Sequence, residues 1–301
     1  MKKLLILIFS VLGIISITVK LAPAQSFEDN FREKSNIVFF GGLVFHQDSE
    51  DIGNYYGGYV DYQGFKSANG KWTLGPYVNF SRSNSIRFSG LDESRSRAYA
   101  YGGGLSAGFY EANFSLRHQL FTGLALGISR ESEEEIVKME KGRYIGVQKD
   151  WLLNASLNLN LLKVFGLQPD LLPRSQMQLR LKMPLLSEKQ AVWEDARGRE
   201  KIDQSLAWDK TYFEAIAKQN IYQAPLNWRQ EFWYTPKLLA FYSFSAGDAR
   251  SFYGLGLELA CYREFRDDFL SVGALYKISR KFTDNYFIVS LNLNLSSLMR
   301  K

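Results

Sequence analysis

Histidine is the side chain best suited to move a proton near neutral pH, and this chain has only two. His46 is followed by Gln47, Asp48 and Ser49, with Asp51 close behind, so an imidazole, a hydroxyl and two carboxylates share one short stretch. An imidazole that took the Ser49 proton while Asp48 or Asp51 oriented the ring would make an activated nucleophile. The spacing does not impose that meeting. On an extended strand, side chains two residues apart share a face, and Ser49 misses that position. His118 is followed by Gln119 and Leu120 and lacks the hydroxyl as well. His46 with Ser49 is thus the one catalytic candidate, no catalytic residue is assigned, and the inventory leans away from turnover.

The other chemistry-bearing residues are sparse. Cys261 is the only cysteine, which excludes an internal disulfide framework and cysteine-rich metal sites. Glu131, Glu133, Glu134 and Glu135 form an acidic run that would attract divalent cations, yet it lacks the oxygen-ligand spacing of a calcium loop, and a solvated charge run is the plainer reading. The glycine groups Gly41-Gly42, Gly57-Gly58 and Gly102-Gly103-Gly104 are not followed by a helix or by the Lys-Ser or Lys-Thr of a phosphate-cradling loop. They suit tight curvature in a sheet. The net charge of +6 is spread along the chain without a basic block or interleaved aromatics, so nucleic acid is not an expected partner. Neither a cofactor nor a metal is expected.

The elements that would position any of these residues are strands. Phe287, Val289, Leu291, Leu293 and Leu295 alternate with Ile288, Ser290, Asn292, Asn294 and Ser296, and Trp151, Leu153, Ala155, Leu157, Leu159 and Leu161 alternate with Leu152, Asn154, Ser156, Asn158 and Asn160. Period two puts apolar side chains on one face and amides and hydroxyls on the other. The same pattern recurs over 177–185 and 253–261. Alternation alone fits either a soluble sandwich or a barrel with lipid outside and a polar interior. Segments of about 11 residues, long enough to cross a bilayer at a barrel's tilt, favour the barrel.

The N-terminus points the same way. Met1-Lys2-Lys3, an apolar run over 4–19, and Ala22-Pro23-Ala24 before Gln25 have the layout of a secretory signal cleaved after Ala24. Residues 1–24 are read as that signal, 25–35 as a short periplasmic segment and 36–301 as one barrel. Past residue 19 no apolar run approaches the ~20 residues of a spanning helix, so strands must do any spanning.

About twelve strands are predicted, near 37–46, 55–65, 72–81, 97–110, 114–130, 144–162, 176–186, 212–222, 236–245, 251–263, 269–280 and 285–297. Ten or fourteen would also satisfy an even count. With both termini in the periplasm, outer loops fall at 46–54, 82–96, 131–143 and 187–211. Inner turns fall at 66–71 and 111–113, with longer inner connections at 163–175 and 224–235. Tyr56, Trp72, Phe109, Trp151, Tyr212, Phe213, Tyr253 and Tyr286 near strand ends would form interfacial girdles.

Signal, alternating strands and turn-and-loop asymmetry together resemble the bacterial outer-membrane β-barrel class across nearly the whole mature chain. The resemblance implies export through the inner membrane, outer-membrane lipid and lipopolysaccharide as surroundings, and the outer-membrane assembly machinery as a partner during biogenesis. It departs from the class at Leu298-Met299-Arg300-Lys301, where many such barrels end in an aromatic residue. It identifies no family within the class and no specific protein partner.

On the polar face the predicted lumen holds Asp61, Arg117, Arg180, Lys182, Glu214, Lys218, Glu258 and Lys277. Arg180 and Lys182 are expected opposite Glu214 and Lys218, and Glu258 opposite Lys277. Such charges either fill a narrow lumen as paired ions or form a constriction that selects solutes. The expected function is passive passage of small solutes or an envelope-structural role. Two rivals remain: an outer-membrane lipid or lipopolysaccharide acyl hydrolase with His46 as base, and a docking barrel acting through 187–211.

Overall fold

The computed structural model describes residues 35–47, 52–62, 64–66, 72–89, 92–110, 120–160, 175–202, 211–226, 231–245, 250–263, 268–279 and 285–296. The expected signal over 1–24 and the expected periplasmic segment through residue 34 lie outside them. The strands are β1 (Ser35–His46), β2 (Ile52–Tyr62), β3 (Phe65–Lys66), β4 (Trp72–Ser89), β5 (Asp92–Tyr110), β6 (Leu120–Met139), β7 (Gly142–Asn160), β8 (Ser175–Asp195), β9 (Gly198–Ile202), β10 (Tyr212–Asn220), β11 (Ala224–Pro225), β12 (Phe232–Ser245), β13 (Arg250–Arg263), β14 (Asp268–Ser279) and β15 (Asn285–Asn294). Every pairing among them is antiparallel. Among the described residues no helix is long and apolar enough to cross a membrane.

Twelve of these strands close into a barrel, in chain order except that β3, β9 and β11 are short additions at the ends. Closure comes from two joints. β1 pairs with β15 from Val38↔Asn294 to His46↔Tyr286, and β8 pairs with β10 from Tyr212↔Lys182 to Gln219↔Ser175. The Ile37 amide also donates to Ser296 Oγ at 2.8 Å, which ties the two ends of the described chain together.

The alternation decides which face looks outward. Leu74, Val78 and Phe80 on β4, Leu124 and Leu126 on β6, and Leu255, Leu257 and Leu259 on β13 all stand exposed on the outside, with Asn154, Ser129, Ser271 and Asn292 on the inside. Inside, Asn154 Nδ2 donates to Ser129 Oγ at 2.7 Å and Asn292 Nδ2 to Ser271 Oγ at 3.1 Å. A large apolar outer band over a hydrogen-bonded interior is the inverse of a soluble protein.

Three predicted outer loops are strands. Residues 82–96 are a hairpin closed by Ser89↔Asp92, 131–143 a hairpin closed by Met139↔Gly142, and 187–211 begins with a hairpin closed by Asp195↔Gly198. Residues 203–210 lie outside the described set. The acidic run therefore sits on β6 and is not a loop. Gly198 has a φ of 136°, open only to a residue without Cβ, and Asp195 Oδ1 accepts from the Arg197 amide at 2.7 Å to complete the turn. Above the apolar band, β4 to β9 thus continue as a free-standing collar of sheet, reaching about 25 Å along β7 and β8 at ~3.3 Å per residue. Expected long loops and observed short turns differ because the chain spends its length on the strands.

Interfacial aromatics bound the apolar band. Trp72 stacks on Phe109 at 4.5 Å at the lower end, and at the upper end Phe45 meets Phe287 at 6.4 Å and Tyr242 meets Tyr253 at 5.3 Å. Tyr212 and Tyr286, expected in the girdle, point inward: Tyr212 donates to Glu214 Oε2 at 2.7 Å and Tyr286 packs on His46. Strand parity places them there, since their neighbours Phe213 and Phe287 take the outward positions.

Candidate functional site

The described interior has two zones. The first is a belt of alternating charges within the barrel, borne on β6, β8, β10, β12, β13 and β14. Arg180 Nη1 lies 3.1 Å from Glu214 Oε1, Lys182 Nζ lies 2.6 Å from Glu131 Oε1, and Lys218 Nζ lies 2.7 Å from Glu258 Oε2. Lys237 Nζ reaches Glu258 Oε1 at 3.4 Å and also pairs with Asp268. Asp61 stands apart on β2, buried, and accepts from the Ser106 hydroxyl.

The pairing differs from expectation in instructive ways. Arg180 does face Glu214, its direct cross-strand partner. Lys182 instead reaches past Asn154, its neighbour on β7, to Glu131. Glu258 does not meet Lys277. It lies opposite Gly273, whereas Lys277 lies opposite Gly254. With no side chain at Gly254 in the way, Lys277 Nζ extends to the next strand and rests 3.9 Å from the centre of the Phe241 ring. Lys237, which binds two acids, was not expected. The sequence puts the start of that strand at Pro236, and Leu239 and Phe241 on the same inward face hide the alternation that would place Lys237. Arg117 lies outside the described residues.

Hydration varies around this belt. Glu258 and Lys237 keep only 4% and 5% of their side-chain surface, packed beside Leu239 and Phe241. Arg180 keeps 50% although it faces inward and is ion-paired.

The second zone is the inner face of the collar. Glu131, Glu133 and Glu135 on β6 and Asp150 on β7 share it by strand parity, with Lys189 as a cation on β8. Gln148 Nε2 donates to Asp150 Oδ2 at 2.9 Å, and Ser94 Oγ lies 3.5 Å from Glu135 Oε1. Burial, and then the Glu135 carboxylate, push the Tyr144 hydroxyl above its ordinary pKa. The outer face of the same sheet is richer in arginine, at Arg82, Arg97, Arg130 and Arg143. The collar is acidic toward the mouth and basic away from it.

His46 ends β1 pointing inward, its ring 4.9 Å from that of Tyr286 in an edge-on contact. Ser49, Asp48 and Asp51 lie outside the described residues, as does His118. A His46→Ala variant is expected to cost about 0.5–1.5 kcal/mol of stability through the lost ring contact, read as a small fall in the thermal midpoint. Among the described residues no three His, Cys, Asp or Glu side chains converge as a metal site.

No protein-family profile and no curated protein sequence matches the chain. Solved structures do. The chain is similar to the translocator domain of the autotransporter NalP from Neisseria meningitidis, at 9% identity over 95% of this chain and 96% of that one, with a TM-score of 0.47. It is similar to the beta domain of the Bordetella autotransporter Brka, at 10% identity over 86% and 98%, TM-score 0.46. It is also similar to the KdgM porin, at 9% identity over 86% and 98%, TM-score 0.31. In architecture the chain is a closed antiparallel β-barrel of twelve strands.

Proposed function

We propose that this barrel sits in the bacterial outer membrane, exported by the signal over residues 1–24, and serves there as a passive channel for small solutes with a preference for cations. The membrane reading rests on the outward apolar band between two aromatic borders, which fits hydrocarbon and not water. The channel reading rests on one observation above all: inward-facing Arg180 keeps half of its side-chain surface solvent-accessible. Inward side chains that fill a narrow lumen would bury that surface. The cation preference follows from the collar, where Glu131, Glu133, Glu135 and Asp150 face the route to the lumen and raise the local concentration of positive solutes.

Planar bilayers test the proposal directly. The purified, folded protein is expected to give discrete conductance steps, and a salt gradient to give a reversal potential on the cation side. The Glu133→Gln/Glu135→Gln variant is expected to keep its conductance steps while the reversal potential moves toward zero. A folded and inserted barrel that passes no current would overturn the channel reading in favour of an envelope-structural role.

A further inference from the structure

The outer face of the collar carries a cluster that the channel does not use. Tyr99 on β5 sits directly across from Arg82 on β4 and Ser132 on β6. Arg97 lies two residues along β5 on the same face, and Arg130 lies diagonally on β6, opposite Tyr101. Three arginines thus occupy strand positions on one face, within the 5–8 Å spacings of positions neighbouring Tyr99. Two are held in place. The Arg82 guanidinium lies 5.0 Å from the Tyr99 ring centre, and its Nη1 donates to Tyr56 Oη at 3.2 Å. The Arg130 guanidinium lies 5.7 Å from the Trp151 ring.

None of the three makes an ion pair among the described residues, and Arg82 Nε is buried without a hydrogen-bond partner. Cations usually collect where carboxylates or phosphates balance them. The bordering acid, Glu134, stands across from Arg97 without closing a bridge to it. Directly below, on the lipid side, Gly58 leaves a notch between Phe39 and Phe80. The notch opens into an apolar groove of about 380 Å³ lined also by Val60, Val78 and Tyr101.

We propose that Arg82, Arg97 and Arg130 bind the phosphate of an outer-leaflet lipid headgroup whose acyl chain lies in the groove over Gly58. This rests on the outer-membrane reading above and adds a site to it. A phosphate offers three acceptor oxygens to planar guanidinium forks, and Tyr99 and Tyr101 supply the half-polar floor suited to the headgroup level. A free phosphate would satisfy the arginines but leave the groove unused, and a neutral lipid would fill the groove but leave three cations unbalanced.

The test uses the folded mature protein in detergent micelles, with native mass spectrometry counting retained lipid A. The wild type is expected to retain one lipid A at concentrations at least tenfold below those needed by the Arg82→Gln/Arg97→Gln/Arg130→Gln variant. Dephosphorylated lipid A should bind no better to the wild type than to the variant, and Glu134→Gln should tighten retention severalfold. Equal retention by wild type and triple variant overturns the site. Retention of dephosphorylated lipid A by the wild type as tight as that of lipid A itself, or displacement of lipid A by millimolar inorganic phosphate, overturns its assignment to a lipid phosphate. Both proteins are also folded into phospholipid vesicles. Failure of the wild type to insert would count against the membrane reading itself, whereas insertion with equal lipid A retention would count against the site alone.

Discussion

Replacing Glu258 with alanine should unfold the barrel at markedly lower denaturant, with a loss of about 3–5 kcal/mol, the range for breaking a buried ion pair by removing one partner. Glu258 is the shared acid of two lysines. Lys218 and Lys237 approach its two oxygens at 2.7 Å and 3.4 Å, and Lys237 lies with it among Leu239 and Phe241, away from water. Without the carboxylate, Lys237 keeps only Asp268 and Lys218 keeps no ionic partner among the described residues. The loss belongs to stranded cations and not to lost packing, and a second variant separates the two. Glu258→Met combined with Lys237→Met removes the most buried pair together and should recover much of the loss, as apolar replacements of buried pairs do. Urea titrations followed by tryptophan fluorescence would read both. A Glu258→Ala midpoint indistinguishable from wild type would mean that water reaches this side of the lumen as freely as it reaches Arg180.

Gly104→Ala should be nearly as damaging for a purely steric reason. A Cβ built on Gly104 would run into the carbonyl oxygen of Leu126 and the Cα of Gly127, both backbone atoms of the adjacent strand. Inward side chains converge on the concave side of a sharply coiled sheet, and at the β5–β6 corner there is space for hydrogen only. Overpacking of this kind costs about 1–3 kcal/mol or more, and here the obstacle cannot rotate away. Gly146→Ala is the control. Its Cβ would meet only the end of the Tyr144 ring, at 3.1 Å, which can swing aside. Heat-resistant migration on cold SDS gels should fall for Gly104→Ala and stay unchanged for Gly146→Ala; equal behaviour would show that the corner can relax.

The twelve staves were legible because each sets an apolar outer face against a polar interior, and that contrast writes period two into the text. Trp151 to Leu159 and Phe287 to Leu293 show it most plainly. The same cause explains the misses. In the collar both faces carry polar side chains, so Ser81-Arg82-Ser83-Asn84-Ser85 and Glu131 to Glu135 have no apolar rhythm, and turn-like residues there point to loops. On β12 both faces are apolar, which hid Lys237. On β8 a bulge opposite Trp151 and Leu152 shifts the parity by one, so Ser187, Lys189 and Trp193 face inward where an unbroken count turns them out.

Of the lumen residues, types and side were readable but partners were not. Strand tilt lets a lysine skip its neighbour when that neighbour is Asn154 or Gly254, and no spacing rule along one strand encodes what the next strand leaves open.

Among the described residues the collar rises on one side. β10 reaches no higher than Tyr212, opposite Lys182, while β8 climbs on to Asp195, and the strands from β10 around to β1 end near the rim of the apolar band. Among the described residues the rim is therefore shaped like a hood, with a wall of sheet on one side. In the proposed channel, the described strands leave the shorter path to the lumen on the low side, so solutes entering there would meet the acidic inner face of the hood before they reach the charge belt.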